Sequence, residues 1–119
     1  DALPISELAP EAALKAVAAT HDAEVVGVTL GPAGALVWQR ATGEVLHVSA
    51  PAITAVDTLN AGDVWHGTFV WAMLEGWPMH KVLRWANMAA AMKCEVFGGA
   101  LGAPHLPALE ARVAAWDAA

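Results

Sequence analysis

The residues VDTLNAGDVWHG, at positions 56–67, form the most informative pattern in this chain. The mostly apolar residues 53–56 at its start predict the end of a strand. The apolar run at 64–74 predicts a helix, and Asp57 and Asp63 lie on either side of the turn between them. The stretch therefore predicts a strand, a short turn and a helix in succession.

The first turn of this predicted helix has the features of an anion site. Its backbone N–H groups have no acceptor within the helix, and the positive end of the helix dipole lies there. Phosphate is an anion that such helix starts bind readily. Gly62 has no Cβ, so a ligand can approach the backbone closely. Asp63 would then stand where a carboxylate can take a proton from an attacking hydroxyl.

The same turn resembles a known signature. DTLNAGD, residues 57–63, resembles the Asp-Thr-x-Gly-Ala-Gly-Asp signature of the PfkB/ribokinase family of sugar kinases. VTLGPAGA at 28–35 resembles the Thr-Leu-Gly-x-x-Gly turn of that family. ANMAAA at 86–91, followed by GGALGAP at 98–104, resembles its adenine-side helix and loop. The three segments occur in the family's order, and the resemblance covers about residues 20–115.

Two positions depart from the family pattern. Asn60 stands where the family usually has glycine. Asparagine tolerates a positive φ better than other residues with a side chain, so we expect the turn to form with Asn60 in place of glycine. Trp65 replaces a more usual phenylalanine, which changes the volume of the core rather than the chemistry. The catalytic carboxylate of the family is retained at Asp63.

The resemblance implies a fold and a reaction. The fold is α/β, a ribokinase-like three-layer α/β/α domain of which this chain holds the C-terminal part only. The reaction is ATP-dependent phosphoryl transfer to a primary hydroxyl of a sugar or sugar-like substrate. The implied cofactors are ATP and Mg²⁺, with K⁺ as a further candidate.

The resemblance also implies roles for individual residues. Asp63 is the general base. Asp57 and Leu59 contribute to a monovalent-cation site. The anion hole for the transferring phosphoryl group consists of Asn60, Ala61 and Gly62. The residues that bind the nucleotide are Thr29, Gly31, Gly34, Asn87, Ala90, Ala91 and Gly99.

Ordinary structural roles remain open for several of these residues. The helix dipole favours an aspartate in the first turn whether or not it is catalytic. Asp57 and Thr58 can cap the approach to the helix, and Asn87 can serve helix packing alone. For His66 two roles remain open, one in metal binding or acid–base chemistry and one that is purely structural. A nucleotide-binding module without catalysis is the alternative function for the chain.

Composition and charge exclude several classes of protein. The 119 residues suffice for one domain with a core. Although 57% of the residues are hydrophobic, no apolar run approaches the about 20 residues of a membrane span. The net charge of −6 argues against nucleic acid, and the single cysteine, Cys94, excludes an intramolecular disulfide. Without the basic start of a signal peptide, we expect a cytoplasmic protein that binds neither membrane nor nucleic acid.

The family's kinases are considerably longer than this chain. They have an N-terminal substrate half and a small β lid, and the sequence contains neither. We therefore expect residues 1–119 to be the C-terminal, nucleotide-binding portion of a longer enzyme, with residues 1–6 a candidate for non-native sequence. The expected partners are ATP and a small sugar, with a homodimer in the full-length enzyme. A truncated fragment that does not fold alone is the remaining alternative, because its sheet would have an exposed edge.

Periodicity and turn residues predict the other elements. Helices are predicted at 6–20, 61–75, 78–93 and 107–116, and strands at 24–30, 35–39 and 44–49. The glycine-rich residues 95–104 predict irregular structure.

Overall fold

The computed structural model describes residues 9–119, so the segment 1–6 lies outside the described residues. The helices are α1 (Pro10–Ala18), α2 (Ala61–Leu74), α3 (Met79–Cys94) and α4 (Leu106–Ala118). The strands are β1 (Val25–Thr29), β2 (Ala35–Gln39) and β3 (Glu44–Val48), and 3₁₀ turns lie at Gly31–Ala33 and Gly99–Gly102. The order of elements is therefore one helix, three strands and three helices.

The three strands form one antiparallel sheet in the order β1-β2-β3. In the central strand, Val37 lies opposite Gly27 of β1 and Leu46 of β3. Gly43, with a φ of +70°, turns the chain between β2 and β3. Its N–H group donates to the carbonyl oxygen of Gln39 at 2.8 Å. The predicted hairpins ahead of the signature stretch are confirmed.

Proline and glycine set the ends of the helices. α1 begins at Pro10, because proline fits a first turn but lacks the N–H group that later positions need. Residues 6–8 of the helix predicted at 6–20 lie outside the described residues. α2 ends just before Gly76, whose φ of +76° stops the helical hydrogen bonding. Pro78 precedes the first residue of α3, and Pro107 lies in the first turn of α4.

The main core lies between the sheet and the helices α2 and α3. Ala35 and Val37 of β2 are at most 1% exposed. They pack in one cluster with Trp65 of α2 and with Leu83 and Ala86 of α3. A second buried cluster joins α3 to α4 and consists of Met88, Ala89, Leu109 and Val113. α3 therefore belongs to both cores and is the central helix of the fold.

The prediction of a strand at 53–56 is wrong. The structure has no strand between β3 and α2. The N–H groups of Val56 and Asp57 donate to the carbonyl oxygen of Cys94, at 2.7 and 3.1 Å, instead of to a neighbouring strand. Val56 is 63% exposed, whereas a buried strand would cover it. The end of α3, rather than the sheet, positions this segment.

α1 covers the sheet separately from the other helices. It packs against β1 and β2, and its buried residues Leu14 and Ala18 lie outside the core formed with α2 and α3. Arg40, at the end of β2, donates from Nη2 to the carbonyl oxygens of Ala18 at 3.1 Å and His21 at 2.6 Å. Helices therefore pack on the sheet in the α/β layering that was predicted.

Helix length also bears on membrane association. Within residues 9–119, no helix is both long enough and apolar enough to cross a membrane.

Gly34 and Gly43 provide a matched test of the sheet. Both have positive φ, but a Cβ at Gly34 would lie 2.0 Å from the carbonyl oxygen of Val48, whereas one at Gly43 would meet nothing within 4 Å. We expect Gly43→Ala to lower the free energy of unfolding by about 1–2 kcal/mol, the cost of a left-handed alanine. Gly34→Ala should lower the free energy of unfolding by clearly more, because the backbone at Val48 would have to move away from the new Cβ. Urea unfolding of both variants checks this, and equal losses would contradict it.

Candidate active site

A groove of about 560 Å³ lies between the turn after β1, the segment 50–55 and helix α3. The predicted site residues that line it are Thr29, Gly31, Gly34, Ala61, Gly62, Asn87, Ala90 and Ala91. The other residues that line it are Pro32, Ala50, Pro51, Ala52, Ile53, Ala55, Thr58, Trp65 and Cys94. Most of these side chains are small and apolar, so the groove can hold a flat ring against alanines of α3.

The first two residues of helix α2, Ala61 and Gly62, line this groove. Asn60 precedes the helix with a φ of +65°, in the left-handed region that asparagine tolerates, so the turn forms as predicted. The N–H group of Ala61 donates to the carbonyl oxygen of Thr58 at 3.1 Å. Within residues 9–119, the N–H groups of Gly62 and Asp63 have no acceptor, and a Cβ built at Gly62 would meet nothing within 4 Å. Two unpaired donors therefore lie at the positive end of α2, beside open space.

The carboxylate of Asp63 is exposed and is held by one side chain. Asn60 donates from Nδ2 to Oδ2 of Asp63 at 2.9 Å. In the described part of the chain, Oδ1 of Asp63 has no donor. The contact orients the carboxylate and leaves one oxygen available for a substrate. Sequence pattern alone points only to the backbone of Asn60, so this side-chain contact is a finding of the structure.

Asp57 joins the start of α2 to the loop after α3. Its Oδ1 accepts from the N–H group of Leu59 at 3.0 Å, and its Oδ2 accepts from the N–H groups of Gly98 and Gly99, each at 3.2 Å. The ammonium of Lys93 lies 3.2 Å from Oδ2. Three backbone donors, that of Leu59 first, and then this ammonium hold the pKa of Asp57 well below its ordinary value. Asp57 is therefore a charged carboxylate at neutral pH.

Asn87 lines the groove, but its polar atoms have partners inside the protein. Its Oδ1 accepts from Nε1 of Trp65 at 2.9 Å. Its Nδ2 donates to the carbonyl oxygens of Val48 at 2.9 Å and Ser49 at 3.2 Å. These bonds join α2, α3 and the end of β3, which gives Asn87 a structural role whatever its contact with a nucleotide. Phenylalanine has no N–H group in its ring, so Trp65 gains a hydrogen bond to Asn87 that phenylalanine at position 65 could not make.

Gly99 is the one predicted nucleotide-binding residue that does not line the groove. It lies instead beside the signature turn, where its N–H group donates to Asp57. Its φ is +57°, and a Cβ there would approach Oδ1 of Asn60 to 3.0 Å. The position requires glycine for close packing against the turn. A nucleotide contact at Gly99 stays a prediction.

Two parts of the site are absent from the sequence predictions. The segment 50–55 forms one wall of the groove, in a region whose later residues were predicted as a strand. Lys93 is fully buried, and it follows the buried residues Ala86 and Ala89 of α3 by seven and four positions. That helical spacing is a signal in the sequence, because it places the lysine on the buried face of the helix.

His66 contacts the same first turn of α2. Its Nδ1 donates to the carbonyl oxygen of Gly62 at 2.7 Å. Among residues 9–119 there is no group of three or more His, Cys, Asp or Glu side chains that could hold a metal ion. The geometry thus gives His66 a structural contact rather than a set of metal-binding neighbours.

The lowered pKa of Asp57 predicts how stability depends on pH. In the unfolded chain an aspartate titrates near pH 3.9, roughly, so below that pH the unfolded state binds more protons than the folded state. The stabilisation is complete above this pH and declines as the pH falls towards the folded pKa. We expect unfolding free energy to fall more steeply between about pH 5 and pH 2 in the wild type than in Asp57→Asn. Urea unfolding across this range measures both slopes.

The exposed Asp22 supplies the control. Asp22→Asn should keep the wild-type slope against pH. Equal slopes in the wild type and in Asp57→Asn would show that Asp57 is not the group responsible.

Comparison with known proteins places these features in a family. The sequence model of the pfkB family carbohydrate kinases matches residues 3–106. The chain is 32% identical over 109 residues to a ribokinase of Lactococcus lactis, covering 90% of this chain and 35% of that protein. The chain thus spans about a third of the length of this relative.

Solved structures agree with the sequence comparison. A candidate ribokinase from Agrobacterium tumefaciens superposes with a TM-score of 0.89 at 35% identity, over 96% of this chain and 37% of that one. Ribokinase from Arabidopsis thaliana, solved with ribose and ATP, gives 0.77 at 30% identity, over 85% and 33%. A candidate ribokinase II from E. coli, solved with ATP and Mg²⁺, gives 0.81 at 25% identity, over 92% and 34%.

These matches agree with the signature turn, the groove and the layering of helices on the sheet. The described residues form part of a ribokinase-like α/β fold. The chain belongs to the pfkB family of carbohydrate kinases.

Proposed function

We propose that this chain binds ATP in the groove and supplies the general base for phosphoryl transfer to a primary hydroxyl of a sugar or sugar-like substrate. The environment of Gly62 is the main support for this proposal. It lines the groove, its N–H group has no acceptor within residues 9–119, and the space beside it is open. Asp63 is the next residue, so the proposed anion site and a carboxylate are adjacent in the first turn of α2.

The groove fits the parts of a nucleotide. Ala90 and Ala91 of α3 offer a flat apolar surface for a base. Gly31 lines the same groove with a φ of +58°, and a Cβ there would meet nothing within 4 Å. A polyphosphate lying from Gly31 towards Gly62 would reach the positive end of α2. ATP supplies the transferred phosphoryl group.

The anion hole is expected to use the unpaired donors of the first turn. The N–H groups of Gly62 and Asp63 point to no protein acceptor in the described residues, whereas that of Ala61 is already bonded to Thr58. Negative charge that develops on the transferring group is stabilised by such preoriented donors together with the helix dipole. We therefore assign the larger part of this role to Gly62, with Ala61 shaping the turn.

Asp63 is proposed to orient the acceptor hydroxyl and take its proton. Asn60 holds Oδ2 of the carboxylate, and Oδ1 remains available to the hydroxyl. In phosphoryl transfer the protein contributes mainly position and electrostatic stabilisation, and an oriented carboxylate is a recurring part. Mg²⁺ is expected to arrive with the nucleotide, since phosphates supply most of its ligands.

The chain matches only part of the length of its relatives. Because the chain spans about a third of its relatives, we propose that residues 1–119 form the nucleotide-binding portion. The choice of sugar is assigned to the remaining part, and the homodimer stays a prediction.

Asp63→Asn tests the base. We expect kcat for sugar phosphorylation to fall by about 10²–10⁴-fold, because the amide cannot take the proton. KM for ATP should change little, and unfolding free energy should stay within about 0.5 kcal/mol because Asp63 is exposed. Initial rates with a panel of sugars, on protein from the full reading frame, measure this. Asp22→Asn is the control, and an undiminished kcat in Asp63→Asn would reject the assignment.

Ala55 and its neighbour Thr54 test the groove. Both are exposed, but only Ala55 lines the groove. We expect Ala55→Phe to weaken Mg·ATP binding by about tenfold or more, which corresponds to about 1.4 kcal/mol, because the ring fills space meant for the nucleotide. Thr54→Phe places the same ring one residue away and should bind as the wild type does. Isothermal titration calorimetry compares the two, and equal affinities would place the nucleotide elsewhere.

A further inference from the structure

Lys93 is a charged residue in the interior of the protein. Its side chain is 0% exposed, and it lies on the face of α3 that also buries Ala86 and Ala89. Lysine is rarely buried to this extent unless its charge is paired. The burial therefore calls for a set of partners around the ammonium group.

The ammonium lies among oxygen atoms from two loops. Its Nζ donates to the carbonyl oxygen of Asp57 at 2.8 Å and to that of Val96 at 3.4 Å. It also lies 3.2 Å from Oδ2 of Asp57. An ammonium has three donors, and here three oxygen atoms surround it. One carboxylate oxygen and two carbonyl oxygens form the kind of set that also replaces the water around an alkali cation.

This oxygen set lies where the resemblance implies a monovalent-cation site. Asp57, one of the two residues predicted for that site, provides two of the three oxygens. Leu59, the other, donates its N–H group to Oδ1 of Asp57 at 3.0 Å. A K⁺ ion among the same oxygens would lie against the Lys93 ammonium and be repelled by it. The residues present therefore do not fit K⁺.

We propose that the Lys93 ammonium takes the place of the monovalent cation, so that the protein does not depend on K⁺. The charge fixes Asp57, and Asp57 in turn holds Leu59 beside the turn that leads to α2. The relevance of the Lys93 ammonium to catalysis rests on the proposed function, since the turn that leads to α2 carries the proposed anion hole. The replacement of a free K⁺ ion by the Lys93 ammonium does not itself depend on whether the protein is catalytic.

The first experiment compares the wild-type protein in different salts. Protein from the full reading frame is melted in KCl, NaCl and choline chloride at equal ionic strength and without nucleotide. We expect one Tm in all three salts, because the internal cation is always present. A Tm that rises with K⁺ alone, and saturates, would overturn the proposal, since binding of a ligand to the folded state has that effect.

The second experiment removes the ammonium. Lys93→Ala leaves the oxygen atoms in place and opens room for a free cation. We expect its Tm to fall in choline chloride and to recover, saturably, with KCl or NH₄Cl. A variant that no cation restores would overturn the proposal, because the pocket would then lack affinity for a free cation.

An exposed lysine provides the matched control. Lys15 is paired with Glu11 on the surface of α1, where its side chain is 52% exposed. Lys15→Ala removes the same charge and the same length of side chain. Its Tm should be equal in all salts. Recovery by K⁺ in this variant as well would show a general salt effect and would overturn the proposal.

Kinase rates separate this inference from the proposed function. Wild-type initial rates with ATP and sugar should be equal in KCl and in choline chloride. Activation by K⁺ would overturn the inference while leaving the proposed function intact. Absence of activity in both salts would contradict the proposed function, whereas the melting experiments would still decide the role of Lys93.

Discussion

The candidate site depends on the contact between the Asp57 carboxylate and its donors. Those donors come from residues more than thirty positions away, at Lys93, Gly98 and Gly99, as well as from neighbouring Leu59. A buried ammonium and a carboxylate stabilise a structure only when further hydrogen bonds satisfy both groups, as they do here. The contact sets the path of the chain into α2, and thus the position of the first turn.

The groove depends on a different set of contacts. Asn87 bonds Trp65 of α2 and the carbonyl oxygens at the end of β3. These bonds hold α3 against the sheet, while small alanines on the same helix leave the space that forms the groove. Gly34 lets β3 pass close to the turn after β1. Contacts among α2, α3 and β3 therefore surround the groove, and the Gly62 N–H group in its lining has no acceptor in the described residues.

Much of the fold can be predicted from the sequence, whereas several contacts of the candidate site cannot. Proline, glycine and apolar spacing mark the helices and hairpins because they act locally, and the positive φ of Asn60 follows from the same local rules. The prediction of a strand at 53–56 is wrong because tertiary contacts decide whether this segment pairs with a strand or with the end of α3. The contact of Asn60 with Asp63, and the oxygen atoms that surround the Lys93 ammonium, depend on side-chain positions that spacing alone does not give.

We propose that the groove and the first turn of α2 form one phosphoryl-transfer site. A crystal structure of the protein with Mg²⁺ and a non-hydrolysable ATP analogue tests it most directly. We expect the base beside Ala90 and Ala91, and the γ-phosphate within hydrogen-bond distance of the Gly62 N–H group. An analogue bound away from this turn, or a groove left empty at saturating analogue, would show that the groove and the turn do not form one site.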